Sequence, residues 1–368
     1  MFVGLTNTPR DYAWGSTTAI AELFGYAPTG NHEAELWLGA HPGSPARVVG
    51  SDETLIDVLD GERLPFLLKI LAAETHLSLQ AHPNSQQAIE GFERENAAGV
   101  ALDDPTRNYK DAFHKPELIV ALSETFGALC GFRAVAETRE VLGTLGDAAA
   151  PLLERLVDDA SLPAVFEWLI AGGEQVDDLV AAVTDAAASA ALSPSIATVR
   201  QLADEDPGDP GIVISLLLNT VVLRRGQSLY LPAGNIHAYL HGLGVELMAA
   251  SDNVLRGGLT PKNVDVPELL RVLDFTPLPV PYLEPIDLEF GVEVFRPDVP
   301  DFELLHIVAD ASISLIAPAI AVCTAGSFTV GPRRVALGEA VYFTPDESPI
   351  AVVGEGELFV ATSSIVLD

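Results

Sequence analysis

Cysteine is nearly absent. Cys130 and Cys323 are the two copies in 368 residues, too few and too scattered for a disulfide framework. Long apolar runs are missing as well: the longest, residues 211–223, contains Ser215, Asn219 and Thr220 and falls short of the roughly 20 residues that span a bilayer. The opening stretch from Met1 to Asp11 has no basic region followed by an apolar run, so a secretory signal is not expected. Positive charge is scarce, with 20 Lys and Arg against 52 Asp and Glu and a net charge of −32. A surface this acidic repels the phosphates of nucleic acid and of anionic lipid. The expectation is a cytoplasmic protein without a nucleic-acid or membrane partner.

Lysine is the scarcest charged residue. Lys69, Lys110, Lys115 and Lys262 stand against sixteen arginines. Where lysine is this rare, each copy raises the question of what a compact, tunable ammonium does there. Lys110, beside Arg107 and Asp111, reads as a residue of a polar loop. The other three lie inside the motifs below.

An apolar content of 48% excludes disorder. Residues 1–60 read as short extended pieces broken by Gly and Pro, with a helix over 51–59. Residues 65–72 form an apolar run suited to a buried strand, and 84–94 carry helical spacing behind Asn84 as N-cap. Strands are predicted at 118–122 and 126–132. Composition then shifts to Ala, Leu and acidic residues at helical spacing, with Pro151, Pro163 and Pro194 where helices would start. The acidic, turn-rich stretch Asp204 to Pro210 closes this segment. Strands follow at 213–218, 221–224, 228–231, 238–240 and 246–249, then a helix over 261–273. The remainder holds short, closely spaced strands, as in a sandwich or barrel. Residues 226–231 and 338–343 echo one another, each with Gly first and an aromatic near the end, as two related β halves would. The chain therefore reads as mainly β with a helical insertion: parts 1–133 and 207–275 of one unit, an insertion at 134–206, and a C-terminal unit at 276–368.

Three segments carry metal-ligand chemistry. In Ser78-Leu79-Gln80-Ala81-His82-Pro83, Gln80 and His82 are two apart and share one face of a strand. In His114-Lys115-Pro116-Glu117, Lys115 and Glu117 share a face as the chain enters an apolar run. In Leu231-Pro232-Ala233-Gly234-Asn235-Ile236-His237-Ala238-Tyr239, a tight turn delivers His237 onto the next strand. Gln80, His82, Glu117 and His237 offer two nitrogens and two oxygens, a mixture suited to a catalytic divalent metal, zinc above all, with a position left open. Each residue alone more often serves structure; their combination carries the reading. His114 is expected to flank the site. His32, His76 and His306 lack companions at ligand spacing, while His41 and His241 suit hydrogen bonds to backbone in loops. Trp14 and Trp37 suit core packing.

These segments, together with Tyr12-Ala13-Trp14-Gly15-Ser16, residues 34–42, Pro65-Phe66-Leu67-Leu68-Lys69, residues 109–117, 128–132 and 207–211, and Ser251-Asp252-Asn253-Val254-Leu255-Arg256-Gly257-Gly258-Leu259-Thr260-Pro261-Lys262, resemble the type I mannose-6-phosphate isomerases, a zinc-dependent cupin-fold family. They occur in the family's order from residue 12 to about 273. The resemblance implies cupin jelly-roll β-barrels, one catalytic and one degenerate and C-terminal, with an inserted α-helical domain. It implies one Zn2+ on Gln80, His82, Glu117 and His237, a catalytic Arg256, and a sugar-phosphate substrate; a monomer is expected. Phe113 departs from the polar residue usual before His-Lys-Pro-Glu, and the helical insertion is short and Ala-rich.

The implied reaction interconverts mannose 6-phosphate and fructose 6-phosphate by moving a proton between C1 and C2 through a cis-enediol. The base is open among Glu246, Lys115 and a metal-bound hydroxide. Glu246 also suits a plain ion pair with Arg256. The dianionic phosphate needs a local cationic pocket, for which Lys69, Lys262 and Ser78 are the expected contacts, with Lys115 and Arg256 close by. Two rivals share the shell: a cupin dioxygenase with iron(II) on the His and Glu residues, and a non-catalytic sugar-binding cupin.

Overall fold

The computed structural model describes residues 1–289 and 291–363; of the C-terminal stretch 276–368, residues 290 and 364–368 lie outside the described residues. The architecture is mainly β with a set of helices. Among the described residues, one sheet has nine strands and a second has ten.

The nine-stranded sheet carries the chemistry-bearing segments. Along it lie Leu255–Arg256, Gln80–Ala81, His237–Ala249, Phe66–Ala73 and Glu35–Leu38. Glu117–Ala121 joins the long strand to Ser228–Leu231, and Thr125–Phe132 joins it to Leu218–Arg224. Residues 238–240 and 246–249 thus belong to one strand, His237–Ala249. Gly242 and Gly244, which suggest a break in the sequence, instead let the chain pass close to neighbours: a Cβ on Gly242 would meet Phe126 Cδ2 at 2.7 Å.

In the ten-stranded sheet, Ala319–Val330 and Ile350–Thr362 form the longest ladder, with Ala340–Phe343 beside it. The first strand, Phe2–Thr6, pairs with Ala340–Phe343 and so completes the sheet of the C-terminal residues. The two sheets share a core: Phe66, Ile70, Val120 and Val245 pack with Phe302, Ile320, Tyr342 and Phe359. The two echoed segments enter short strands, Ser228–Leu231 and Ala340–Phe343, each behind a glycine at positive φ (Gly226, 83°; Gly338, 79°).

Helices from Val135–Gly143 to Pro194–Glu205 lie between Thr125–Phe132 and Leu218–Arg224. Pro151, Pro163 and Pro194 sit in first turns, where a missing N–H costs nothing. Leu152, Val165, Phe166, Leu169, Leu179 and Val183 form their common core. Asn84 caps Ser85–Ala97 with a reciprocal bond pair to Gln87. The two other sequence-read helices are shorter than their patterns. They begin behind the caps Thr54 and Asp265, as Leu55–Leu59 and Val266–Val272.

The strand expected at 213–218 is corrected: Gly211–Ile214 is α-helical and Ser215–Leu217 is a 3-10 turn. Asp209 Oδ1 accepts from Gly211 N at 2.7 Å and starts the turn. Ile212, Val213, Ile214, Leu216 and Leu217 are all fully buried. With apolar surroundings and no ladder partner among the described residues, a helix satisfies the backbone internally.

Candidate metal centre

Strand register assembles the centre. His237 pairs with Gln80, and Gln80 pairs on its other side with Arg256, so three side chains lie in a row across neighbouring strands. Glu117 arrives on the strand that pairs with the far end of His237–Ala249, opposite Met248. Gly234, at φ 78°, makes the turn that feeds His237 into its strand.

His82, Glu117 and His237 are almost wholly buried, at 1%, 2% and 1% exposure. One ligand atom from each lies within 4.8 Å of the others. His82 Nδ1 is 2.7 Å from the Asn253 carbonyl oxygen, and His237 Nδ1 is 3.0 Å from that of Asn235. A carbonyl oxygen can only accept, so each Nδ1 carries the proton and each Nε2 presents a lone pair. Those lone pairs face the Glu117 carboxylate: His82 Nε2 is 3.2 Å from Oε1, and His237 Nε2 is 3.2 Å from Oε2. His82 Nε2 and Glu117 Oε2 have no hydrogen-bond partner. Acceptors converging on acceptors out of reach of water are a costly arrangement that a cation between them relieves. Gln80 completes the ring, its amide Nε2 3.4 Å from His237 Nε2; a half-turn of the amide brings Oε1 to the same place. The residues fit a divalent ion of the zinc type.

The electrostatics agree. Burial pushes the His82 imidazole down to about 4, aided by the Lys115 charge and opposed by Glu117, so the ring is neutral and able to ligate. Burial alone would raise the Glu117 carboxyl. The adjacent Lys115 ammonium is the main opposing influence, and the group lies well below the usual carboxylate range.

Beside the centre lies a second charged cluster. Lys69 Nζ is 2.9 Å from Glu246 Oε2 and 3.3 Å from Glu35 Oε1. Trp37 Nε1 donates to the other oxygen of Glu35 at 2.8 Å. Burial raises the Glu246 carboxyl, Lys69 opposes, and the Glu117 and Glu35 charges add to the rise. Burial works against the Lys69 ammonium, but Glu246, Glu35 and Glu117 outweigh it and raise its pKa. Tyr239 presents a buried hydroxyl to the same carboxylates; burial first, then Glu246 and Glu117, keeps it protonated.

A cavity of about 1210 Å³ opens onto both clusters, and Ser78, Gln80, Lys115, Glu246, Arg256 and Lys262 all line it. Among the described residues, no carboxylate pairs with the Arg256 or Lys262 head group. Burial lowers both pKa values, and the charge of Arg256 adds to the drop at Lys262. Two cations held near one another, neither paired with a carboxylate among the described residues, are an arrangement that can receive an anion.

Several expectations change. Lys69, read as a phosphate contact, has its ammonium committed to Glu246 and Glu35. Glu246 pairs with Lys69, where the sequence suggested Arg256. Lys115 is bound to Glu117 Oε1 at 2.9 Å. His114, expected to flank the centre, donates outward to Asp301 at 2.7 Å. His41 accepts from Gly43 N and pairs with Asp252 at 3.2 Å. Sequence reading missed Glu35 and Asn253. The available signal for Glu35 was a lone carboxylate inside the apolar run 34–38, which the structure shows to be a buried strand. Asn253 gave none.

A family description for the catalytic domain of type I phosphomannose isomerase matches residues 2–135. Mannose-6-phosphate isomerase of Escherichia coli K12 is 37% identical over 382 residues, covering 96% of this chain and 97% of its own. The Homo sapiens protein is 33% identical over 365 residues, covering 83% and 81%. A zinc-bound crystal structure of mannose 6-phosphate isomerase has a TM-score of 0.91 at 35% identity, covering 98% of this chain and 99% of that one. The apo form from Salmonella typhimurium gives 0.91 at 34% identity, covering 98% of each. Similarity of this extent along nearly the whole length makes the chain a member of the type I mannose-6-phosphate isomerase family.

Proposed function

We propose that the protein interconverts D-mannose 6-phosphate and D-fructose 6-phosphate at a zinc ion held by Gln80, His82, Glu117 and His237. The observation that carries this is the confrontation of two Nε2 lone pairs with the Glu117 carboxylate inside a buried ring. Relatives that bear the isomerase name over nearly the full length, one of them zinc-bound, support the reaction and the metal.

When bound, zinc supplies Lewis-acid polarisation of the sugar's carbonyl and hydroxyl oxygens. The protein's own residues do the rest. Arg256 and Lys262 receive the phosphate, with Ser78 beside them on the cavity wall, and Arg256 orients the open sugar chain over Gln80. Glu246 moves the proton between C1 and C2: burial lifts its basicity, and Lys69 fixes one oxygen and keeps the group ionised. Lys115 holds Glu117 in place through Oε1, and Lys69 and Glu35 form the frame of the base. Trp37 closes that frame, with the Lys69 ammonium 5.2 Å from its ring.

The proposed architecture is a pair of cupin jelly-roll barrels. Residues 1–133 and 207–275 form the catalytic one, 134–206 an inserted helical domain, and 276–368 a degenerate barrel that borrows the first strand. The working unit is a monomer. No helix of the described residues is long and apolar enough to cross a membrane.

Purified protein supplied with zinc should convert mannose 6-phosphate to fructose 6-phosphate in a coupled assay. Absence of conversion, with oxygen uptake when iron(II) replaces zinc, would support the dioxygenase reading instead.

A further inference from the structure

We propose that Asn253 is a positioning residue of the metal centre: its side-chain amide locks the loop that delivers Glu117 onto the segment that orients His82. The inference rests on the metal reading above and concerns a residue that touches neither metal nor substrate.

Asn253 is wholly buried in the short segment between strands His237–Ala249 and Leu255–Arg256. Each of its polar groups has a defined task. Its carbonyl oxygen accepts from His82 Nδ1 at 2.7 Å, which fixes the proton there and leaves Nε2 free for a metal. Its Oδ1 accepts from Lys110 N at 2.7 Å and Asp111 N at 3.2 Å. Its Nδ2 donates to the Asp111 carbonyl at 2.9 Å, Asp111 Oδ1 at 3.2 Å and the Phe113 carbonyl at 2.8 Å. One amide thus stands in for a strand partner along residues 110–113, a stretch that has no ladder of its own.

That stretch ends four residues before Glu117. Its position sets where Lys115 and Glu117 enter their strand. Ser251 and Asp252 tighten the clasp: Ser251 Oγ donates to Asp111 Oδ1 at 2.8 Å, and Asp252 N donates to Asp111 Oδ2 at 2.9 Å. His82 and Glu117 come from distant parts of the chain, and their ligand atoms must stay about 3 Å apart for one ion to serve both. Asn253 is the residue bonded to both approaches.

Truncation to Ala takes this partner from Lys110 N, Asp111 N and the carbonyls of Asp111 and Phe113 in a part-buried site, and the loop relaxes toward other partners. Asn253→Asp keeps the shape but sets an oxygen against the carbonyls of Asp111 and Phe113. Asp111→Ala breaks the same clasp from its more exposed side.

The test measures zinc affinity of the full-length protein by competition with a chelator, alongside the thermal midpoint of the metal-free form. The expected result is a zinc Kd raised about 10- to 100-fold in Asn253→Ala and further in Asn253→Asp. At saturating zinc, KM for mannose 6-phosphate should stay near wild type, because Arg256 and Lys262 are untouched. Asp111→Ala should raise the zinc Kd in the same direction. A folded Asn253→Ala with wild-type zinc Kd would overturn the proposal. Should the Asn253 variants fail to fold, an unchanged zinc Kd in Asp111→Ala overturns it equally. Wild-type protein that retains no zinc would overturn the metal reading itself.

Discussion

The Lys69 ammonium donates to Glu246 at 2.9 Å, with both side chains sealed from solvent at 7% and 3% exposure. Glu35 takes a second hydrogen bond from the same nitrogen at 3.3 Å. One cation therefore holds two carboxylates beside a third, Glu117. Removing it leaves buried negative charge uncompensated, which costs about 3–5 kcal/mol for a broken buried pair. Lys69→Met should lower stability by that order and reduce kcat, because Glu246 then takes up a proton to shed its charge. Urea unfolding and steady-state kinetics check this. A stable variant with wild-type kcat would show that Glu246 works without its partner.

Arg256 and Lys262 should separate in their kinetics. The Lys262 side chain lines the cavity from an exposed loop and, among the described residues, pairs with no carboxylate, so on the proposed reading Lys262→Ala removes a charge-assisted contact to phosphate. A KM rise of about tenfold is expected, with kcat nearly kept. Arg256 pairs in register with Gln80, one of the proposed metal ligands, and lines the same cavity as Glu246. Arg256→Ala should lower kcat by about 100-fold or more, as for a lost transition-state donor. The opposite split would exchange their roles.

Gly91 has a packing reason to lack a side chain. A Cβ there would stand 2.4 Å from Cε2 and Cζ of Tyr109, a fully buried ring. The Tyr109 hydroxyl donates to Glu268 at 2.5 Å, which prevents an easy retreat. Helix propensity alone favours Ala over Gly by about 1 kcal/mol at this helical position. Overpacking costs about 1–3 kcal/mol and should decide the sign. Gly91→Ala is expected to lower the thermal midpoint; a raised midpoint would show that Tyr109 moves freely.

Much of the centre was legible because its residues obey local rules. Gln80 and His82 are two apart on an extended chain, Glu117 follows a proline at the mouth of an apolar run, and Pro232, Gly234 and Asn235 spell a turn before His237. Those features need no knowledge of distant contacts. The pairing of Lys69 was not legible, because Glu35 and Glu246 lie 34 and 177 residues away from it and reach it by lateral strand register. Asn253 was hidden for the same reason: its bonds run to residues 110–113 across more than a hundred positions. The error at 213–218 was local. β-branched Ile212, Val213 and Ile214 favour a strand by propensity, but complete burial and the turn that Asp209 starts favour a helix. His114 misled through proximity in sequence, since Lys115 turns inward while His114 turns to Asp301.

The most direct measurement titrates zinc into metal-depleted protein and reads bound metal and isomerase turnover together, for wild type and for His237→Ala. Turnover in wild type should rise in proportion to zinc and level off at about one equivalent, the capacity of a single site with one ligand atom from each residue. His237→Ala should show neither tight binding nor turnover. Full isomerase activity in chelated protein, or in His237→Ala, would contradict a metal held between His82, Glu117 and His237.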